Sequence, residues 1–145
     1  MGGGAPGDDR ARAAHLRGRL DRLAETLFEV DSDADVVFVR AQPGTAATEV
    51  VTRSDRLWSL YPLVREAVDG LDAALAADDG ATVARLLGPG AVTLPDGTSS
   101  AVDALVATLQ ADAAAVLQRC RELGGAARRA FARLDGLTTR LTGLD

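Results

Sequence analysis

Residues 102–141 read VDALVATLQADAAAVLQRCRELGGAARRAFARLDGLTTRL. Within them Val102, Leu105, Leu109, Ala113, Val116, Cys120, Leu123, Ala127, Ala130, Leu134, Leu137 and Leu141 recur at spacings of three and four. That period puts them on one face of a helix, as a seam held in one phase. The stretch predicts a helix-dominated fold, and the rest of the chain is read outward from it.

The dipeptide Gly124-Gly125 tests the seam. Two glycines in a helix interior cost about 2 kcal/mol relative to alanines. An unbroken helix over residues 100–141 would be about 63 Å long at a rise of about 1.5 Å per residue. A compact domain of this size has a radius of gyration of about 15 Å, so such a helix would project beyond it. A break would instead give four helices near residues 9–30, 55–78, 100–123 and 126–142, the makings of a four-helix bundle. The phase runs unbroken from Cys120 through Leu123, Ala127 and Ala130, and no Ser, Thr or Asp stands at 125 to cap a new helix. We therefore favour one continuous helix, straight or bent, over a break.

Upstream, Ser100 with Asp103 resembles a capping box at its start. Residues 91–94 (AVTL) run extended into the Pro95-Asp96-Gly97 turn, and Thr82 caps a short helix through Leu87 that Gly88-Pro89-Gly90 closes. Ser54 or Asp55 is placed to cap a further helix with Leu57, Leu60, Val64, Ala67, Leu71 and Ala74 on its seam. Pro62 predicts a kink there or a start near it. Between Asp35 and that helix, residues 36–39 (VVFV) and 49–52 (EVVT) are β-branched and aromatic around a Gln42-Pro43-Gly44-Thr45 turn. They predict a β-hairpin insertion over residues 36–52. An isolated hairpin is barely stable, so its apolar face must cover helices, take residues 91–94 as a third strand, or meet another chain.

The first helix begins at a cap on Asp8 or Asp9 and carries Ala13, Leu16, Leu20, Leu23, Leu27 and Val30 as a second seam. The acidic run over residues 31–35 stops it, since carboxylates are unfavourable at a helix C-terminus. Residues 1–7 (MGGGAPG) read as a disordered tail, and residues 8–145 as a single helical domain with the hairpin inserted.

The totals exclude several classes. The chain has 145 residues, is 47% hydrophobic and 26% charged, and carries a net charge of -5. That suits one self-supporting domain, and argues against both disorder and a general nucleic-acid binder. All 16 basic residues are Arg, and Lys, Ile and Asn are absent. A GC-rich bacterial genome accounts for this, so the bias does not itself signal guanidinium chemistry. One cysteine leaves no internal disulfide and no multi-cysteine zinc site. No run approaches the ~18 apolar residues of a membrane span, and residues 1–7 lack the basic and apolar regions expected of a secretory signal. A cytoplasmic protein is expected.

No constellation commits the chain to a reaction, so no catalytic, cofactor or metal residue is assigned and no cofactor is expected. His15, the only histidine, lies among arginines on a helix surface. Asp31-x-Asp33-x-Asp35 copies the start of a calcium loop, but that loop needs Gly at its sixth place and Glu at its twelfth, where Val36 and Gln42 stand. Glu66, Asp69 and Asp72 share a helix face without any Glu-x-x-His motif, and read as a solvated edge. Cys120 falls on the seam as a small hydrophobe. Arg119, Arg121, Arg128, Arg129, Arg133 and Arg140 load the last segment; they suit phosphates or, more simply, the acidic middle of the same chain or of a partner subunit.

Residues 71–80 (LDAALAADDG), 83–87 (VARLL) and 91–97 (AVTLPDG) resemble the opening helices and first strand of SnoaL-like cyclases and ketosteroid isomerases. The resemblance implies an α+β domain with a pocket near Trp58 and Tyr61. That fold continues as long curved strands, whereas this chain continues as alanine-rich helix, so no activity or site residue carries over. The reading is a mainly α protein, a bundle of coiled-coil-like helices with a small hairpin, and a non-enzymatic adaptor or scaffold that associates through its seams. Its expected contacts are Leu134, Leu137 and Leu141 with Arg128, Arg129 and Arg133, and its expected partner is a second copy or another protein, with no membrane. Enzymatic or small-molecule binding on the SnoaL-like plan, and nucleic-acid binding through the arginines, are the alternatives.

Overall fold

A computed structural model describes residues 6–143, and the surroundings of side chains from residue 7 to residue 137. In chain order the elements are α1 (Pro6–Ser32), α2 (Ala34–Arg40), α3 (Thr45–Ala76), α4 (Gly80–Leu86), β1 (Val92–Thr93), β2 (Ser99–Ser100) and α5 (Val102–Gly143). The three long helices pack on one another, and α2 and α4 close the sides against α5 and α3. This is a mainly α fold with one small antiparallel hairpin.

The apolar seams explain the packing. Ala13, Leu16, Leu20, Leu23, Leu27 and Val30 of α1 are all buried, as are Leu57, Leu60, Val64, Ala67, Leu71 and Ala74 of α3. They meet Val102, Leu105, Leu109, Ala113, Val116 and Cys120 of α5 in one contiguous core. Each fully buried leucine contributes about 1.5–3 kcal/mol, so three converging seams suffice to hold helices that would be marginal alone. On the surface Arg17 of α1 clamps Asp69 and Asp72 of α3, both at 2.6 Å. The acidic edge expected on α3 is thus partly an interhelical bridge.

The hairpin over residues 36–52 does not form; that stretch is α2, a short corner and the first two turns of α3. The acidic run does stop α1, but Asp33 then caps a new helix, its carboxylate accepting from the Asp35 amide at 2.8 Å. Burial follows the helical period: Val36 and Val39 are buried and Val37 is 53% exposed. Packing of two valines three apart on α5 outweighs the weak strand preference of single residues. Likewise Ala47, Val50 and Ser54 extend the α3 seam upstream, so α3 starts at Thr45 behind Gly44, ten residues before the expected caps. Pro62 sits inside α3 on its exposed side, where its missing N–H leaves only the Trp58 carbonyl without its helical partner.

The hairpin that does exist pairs Val92 with Ser100 and Thr93 with Ser99. Its turn is the expected Pro95-Asp96-Gly97: Gly97 takes φ +88°, and the Asp96 carboxylate accepts from the Thr98 amide and hydroxyl at 2.9 and 2.6 Å. Residues 91–94 therefore find their partner in the next few residues. Helix α5 begins directly after β2, so the long strands of a SnoaL-like sheet are absent among the described residues. At α4, Asp79 rather than Thr82 is the cap; Thr82 donates to it through both amide and hydroxyl. No reciprocal capping box opens α5, because Asp103 accepts from the adjacent Ala104 amide and Ser100 donates to the Ala101 carbonyl.

α5 spans 42 residues and passes through Gly124-Gly125 without a break. The four-helix alternative is thereby set aside.

Candidate functional site

The bundle accounts for α5 only as far as Gly124. Cys120 is fully buried, Leu123 half-buried and Gly124 buried, whereas residues 128–137 are exposed. The helix nevertheless continues to Gly143, and its exposed residues 128–137 alone form an overhang about 15 Å long. The seam keeps its phase across this boundary. The face that α1, α2 and α3 cover up to Gly124 is the face on which Leu134 and Leu137 stand bare, at 59% and 52% exposure, and on which Phe131, touched only by Phe38 of α2, is still 56% exposed.

Helix α2 anchors the root of this overhang. A Cβ on Gly124 would lie 2.7 Å from the Asp35 Cβ, so the absence of a side chain is what lets α2 come this close. Asp35 in turn holds Arg128, whose Nη2 is 2.9 Å from its Oδ1, an ion contact not aligned as a hydrogen bond. Two turns back, Arg121 reaches Asp33 at 3.2 Å and Glu29 at 3.7 Å. Phe38 of α2 meets Phe131 edge to face, ring centroids 6.0 Å apart. Beside them lies a shallow groove of about 240 Å³ walled by Phe38, Val39, Pro43, Ala47, Leu123 and Ala127.

The acidic turn is consumed by these contacts. Asp31 accepts from the Trp58 indole at 3.3 Å and faces Arg40 at 3.6 Å, Asp33 caps α2, and Asp35 sits against Gly124. Burial works to raise the Asp33 pKa, but the Asp35 amide and the Arg121 guanidinium together hold it below the ordinary carboxylate range. No cluster of metal-ligating side chains occurs among the described residues. Burial, followed by the charge of Asp33, pushes the Cys120 thiol up, which makes it a packing group rather than a nucleophile. At the other end of the bundle His15 stands exposed on the rim of a cleft of about 370 Å³ with Arg12 and Arg19, above Leu16, Leu86 and Val102.

Of the six residues expected to make contacts, Leu134 and Leu137 lie on the bare stripe. Arg129 and Arg133 are exposed beside it, with no acidic partner among the described residues. Arg128 is exposed as well but reaches across to Asp35 of α2. The Leu141 side chain lies outside the described residues. Sequence reasoning missed Phe131 and Phe38 as contact residues, and read Gly124 only as a possible break in the helix, not as the point where α2 approaches. Phe131 is the single aromatic of the segment and neighbours the seam at Ala130, which is the signal that could have found it.

No family model, no curated protein and no solved structure matches this chain. No helix among the described residues is long and apolar enough to cross a membrane.

Proposed function

We propose that this protein is a non-enzymatic association module, an adaptor or scaffold in the cytoplasm, that engages another helix through the overhang of α5. The observation carrying this reading is the phase continuity of the seam: the bare face of Phe131, Leu134 and Leu137 is the same face that packs three helices along residues 102–124. Large apolar side chains repeated at helical spacing on an exposed helix are the form in which helices recognise one another. Isolated exposed leucines need no explanation, but three large apolar residues along two turns form a contiguous patch.

The test is photocrosslinking in the cells that make the protein, with a photoreactive residue at position 134. A discrete adduct that disappears when Leu137→Asp is added supports the reading, and its mass tells a second copy from a different chain. The absence of any discrete adduct overturns it.

A further inference from the structure

The stripe has two unlike flanks. At about 100° per residue, Arg129 and Arg133 fall four apart in a row along one side of Leu134 and Leu137. On the other side lie Asp135 and Arg128, and Arg128 is already engaged by Asp35. The flank beside Leu137 is therefore basic and the opposite flank carries Asp135, although the whole chain is acidic at -5.

This asymmetry bears on what can cover the stripe. A second copy lying parallel would need its own α5 to run where α1 and α2 already pack, because the bare face and the packed face are one face. A second copy lying antiparallel about a two-fold axis escapes that collision but brings like flanks together, setting the Arg129–Arg133 row of one copy against the same row of the other. Like charges so placed oppose association. A helix with a matching apolar seam and an acidic flank meets neither objection: its carboxylates face the guanidinium row while its leucines cover Phe131, Leu134 and Leu137.

We propose that the α5 overhang docks an acidic amphipathic helix of a different protein. The proposal rests on the association reading and adds the partner's chemistry to it. The experiment titrates the full chain into two fluorescently labelled helical peptides with identical leucine seams, one flanked by Glu and one by Lys. The Glu-flanked peptide is expected to bind about tenfold more tightly, with the gap narrowing at high salt. Arg129→Glu with Arg133→Glu should reverse the order, and Leu134→Asp should abolish both interactions with the helical circular dichroism unchanged.

Equal affinity for the two peptides, lost in Leu134→Asp, overturns the acidic partner and leaves the association reading standing. A salt-resistant dimer in sedimentation that Leu134→Asp dissociates does the same, with a second copy as the occupant. Tighter binding of a mixed-sequence DNA duplex than of the Glu-flanked peptide overturns the proposal in favour of a phosphate partner. No binding of either peptide and no self-association overturns the proposal and the reading together.

Discussion

Gly124 and Asp35 occupy one another's space: any Cβ at 124 would stand 2.7 Å from the Cβ and 2.8 Å from Oδ1 of Asp35. The neighbouring Gly125 is different, since a Cβ there would meet only the flexible end of Arg129, at 3.4 Å. The two glycines should therefore respond to alanine with opposite signs. Gly125→Ala is expected to stabilise by about 1 kcal/mol through helix propensity. Gly124→Ala is expected to destabilise by roughly 1–3 kcal/mol by prising α2 from α5. Urea unfolding of the two variants measures both; equal effects would mean that α2 does not depend on the gap.

Asp33 gives a pH-dependent prediction. Its pKa is lowered in the folded state, so its contribution is present above the unfolded carboxylate value of about 3.9 and is lost as pH falls through the lower folded value. Asp33→Asn keeps a capping side chain but removes the charge that faces Arg121. The variant should be less stable than the natural protein at neutral pH, with the difference shrinking as pH drops below about 4. A constant difference across that range would show that the ion pair contributes nothing.

Ser54 is fully buried on the α3 seam, and its Oγ has no hydrogen-bond partner among the described residues. An unsatisfied buried hydroxyl costs about 1–3 kcal/mol. Ser54→Ala removes it at little loss of volume and should raise stability by about 1 kcal/mol. A drop in thermal midpoint would show that the hydroxyl is satisfied in solution.

Cys120 should be silent to a thiol reagent while the chain is folded and react fully once it is unfolded in urea. Its complete burial and raised pKa both withhold the thiolate. Rapid native reactivity would require the core around Cys120 to open on the assay's timescale.

Two leucines of α5 should separate stability from association. Leu109 is 1% exposed, and Leu109→Ala is expected to cost about 2–5 kcal/mol. Leu134 is 59% exposed, and Leu134→Asp should change the stability of the isolated chain by no more than about 0.5 kcal/mol. A large loss from the second change would mean that the overhang folds back onto the bundle.

The long seams were legible because a burial pattern repeated over many turns averages out single-residue preferences. Every residue assigned to the α1 seam is buried, and the unbroken phase with no cap at 125 favoured continuity through Gly124-Gly125 over a four-helix break without deciding it. Residues 36–52 were misread because Val36, Val37, Phe38 and Val39 form too short a run to distinguish period two from period three and a half. What decides their state is Asp33 as a cap and α5 as a surface, and the second is a tertiary fact. The extended run at residues 91–94 and its Pro95-Asp96-Gly97 turn were legible, but the return strand Ser99–Ser100 was not, since two residues carry no period. At the candidate site the leucines were readable and their exposure was not: nothing in the sequence says that the covering helices end near Gly124, and the seam beyond it looks the same. The diversion of Arg128 to Asp35 likewise depends on α2 being a helix.

Because α5 crosses from bundle to overhang as one unbroken helix, it fixes a bearing as well as a distance. Inserting one residue between Gly125 and Phe131 would swing the stripe by about 100° around the axis while advancing it only about 1.5 Å. The spacing of those few residues therefore works as a compass setting: whatever docks at the tip is held at a heading dictated by the core below. A partner could tolerate many substitutions along the overhang and still be misdirected by a single insertion.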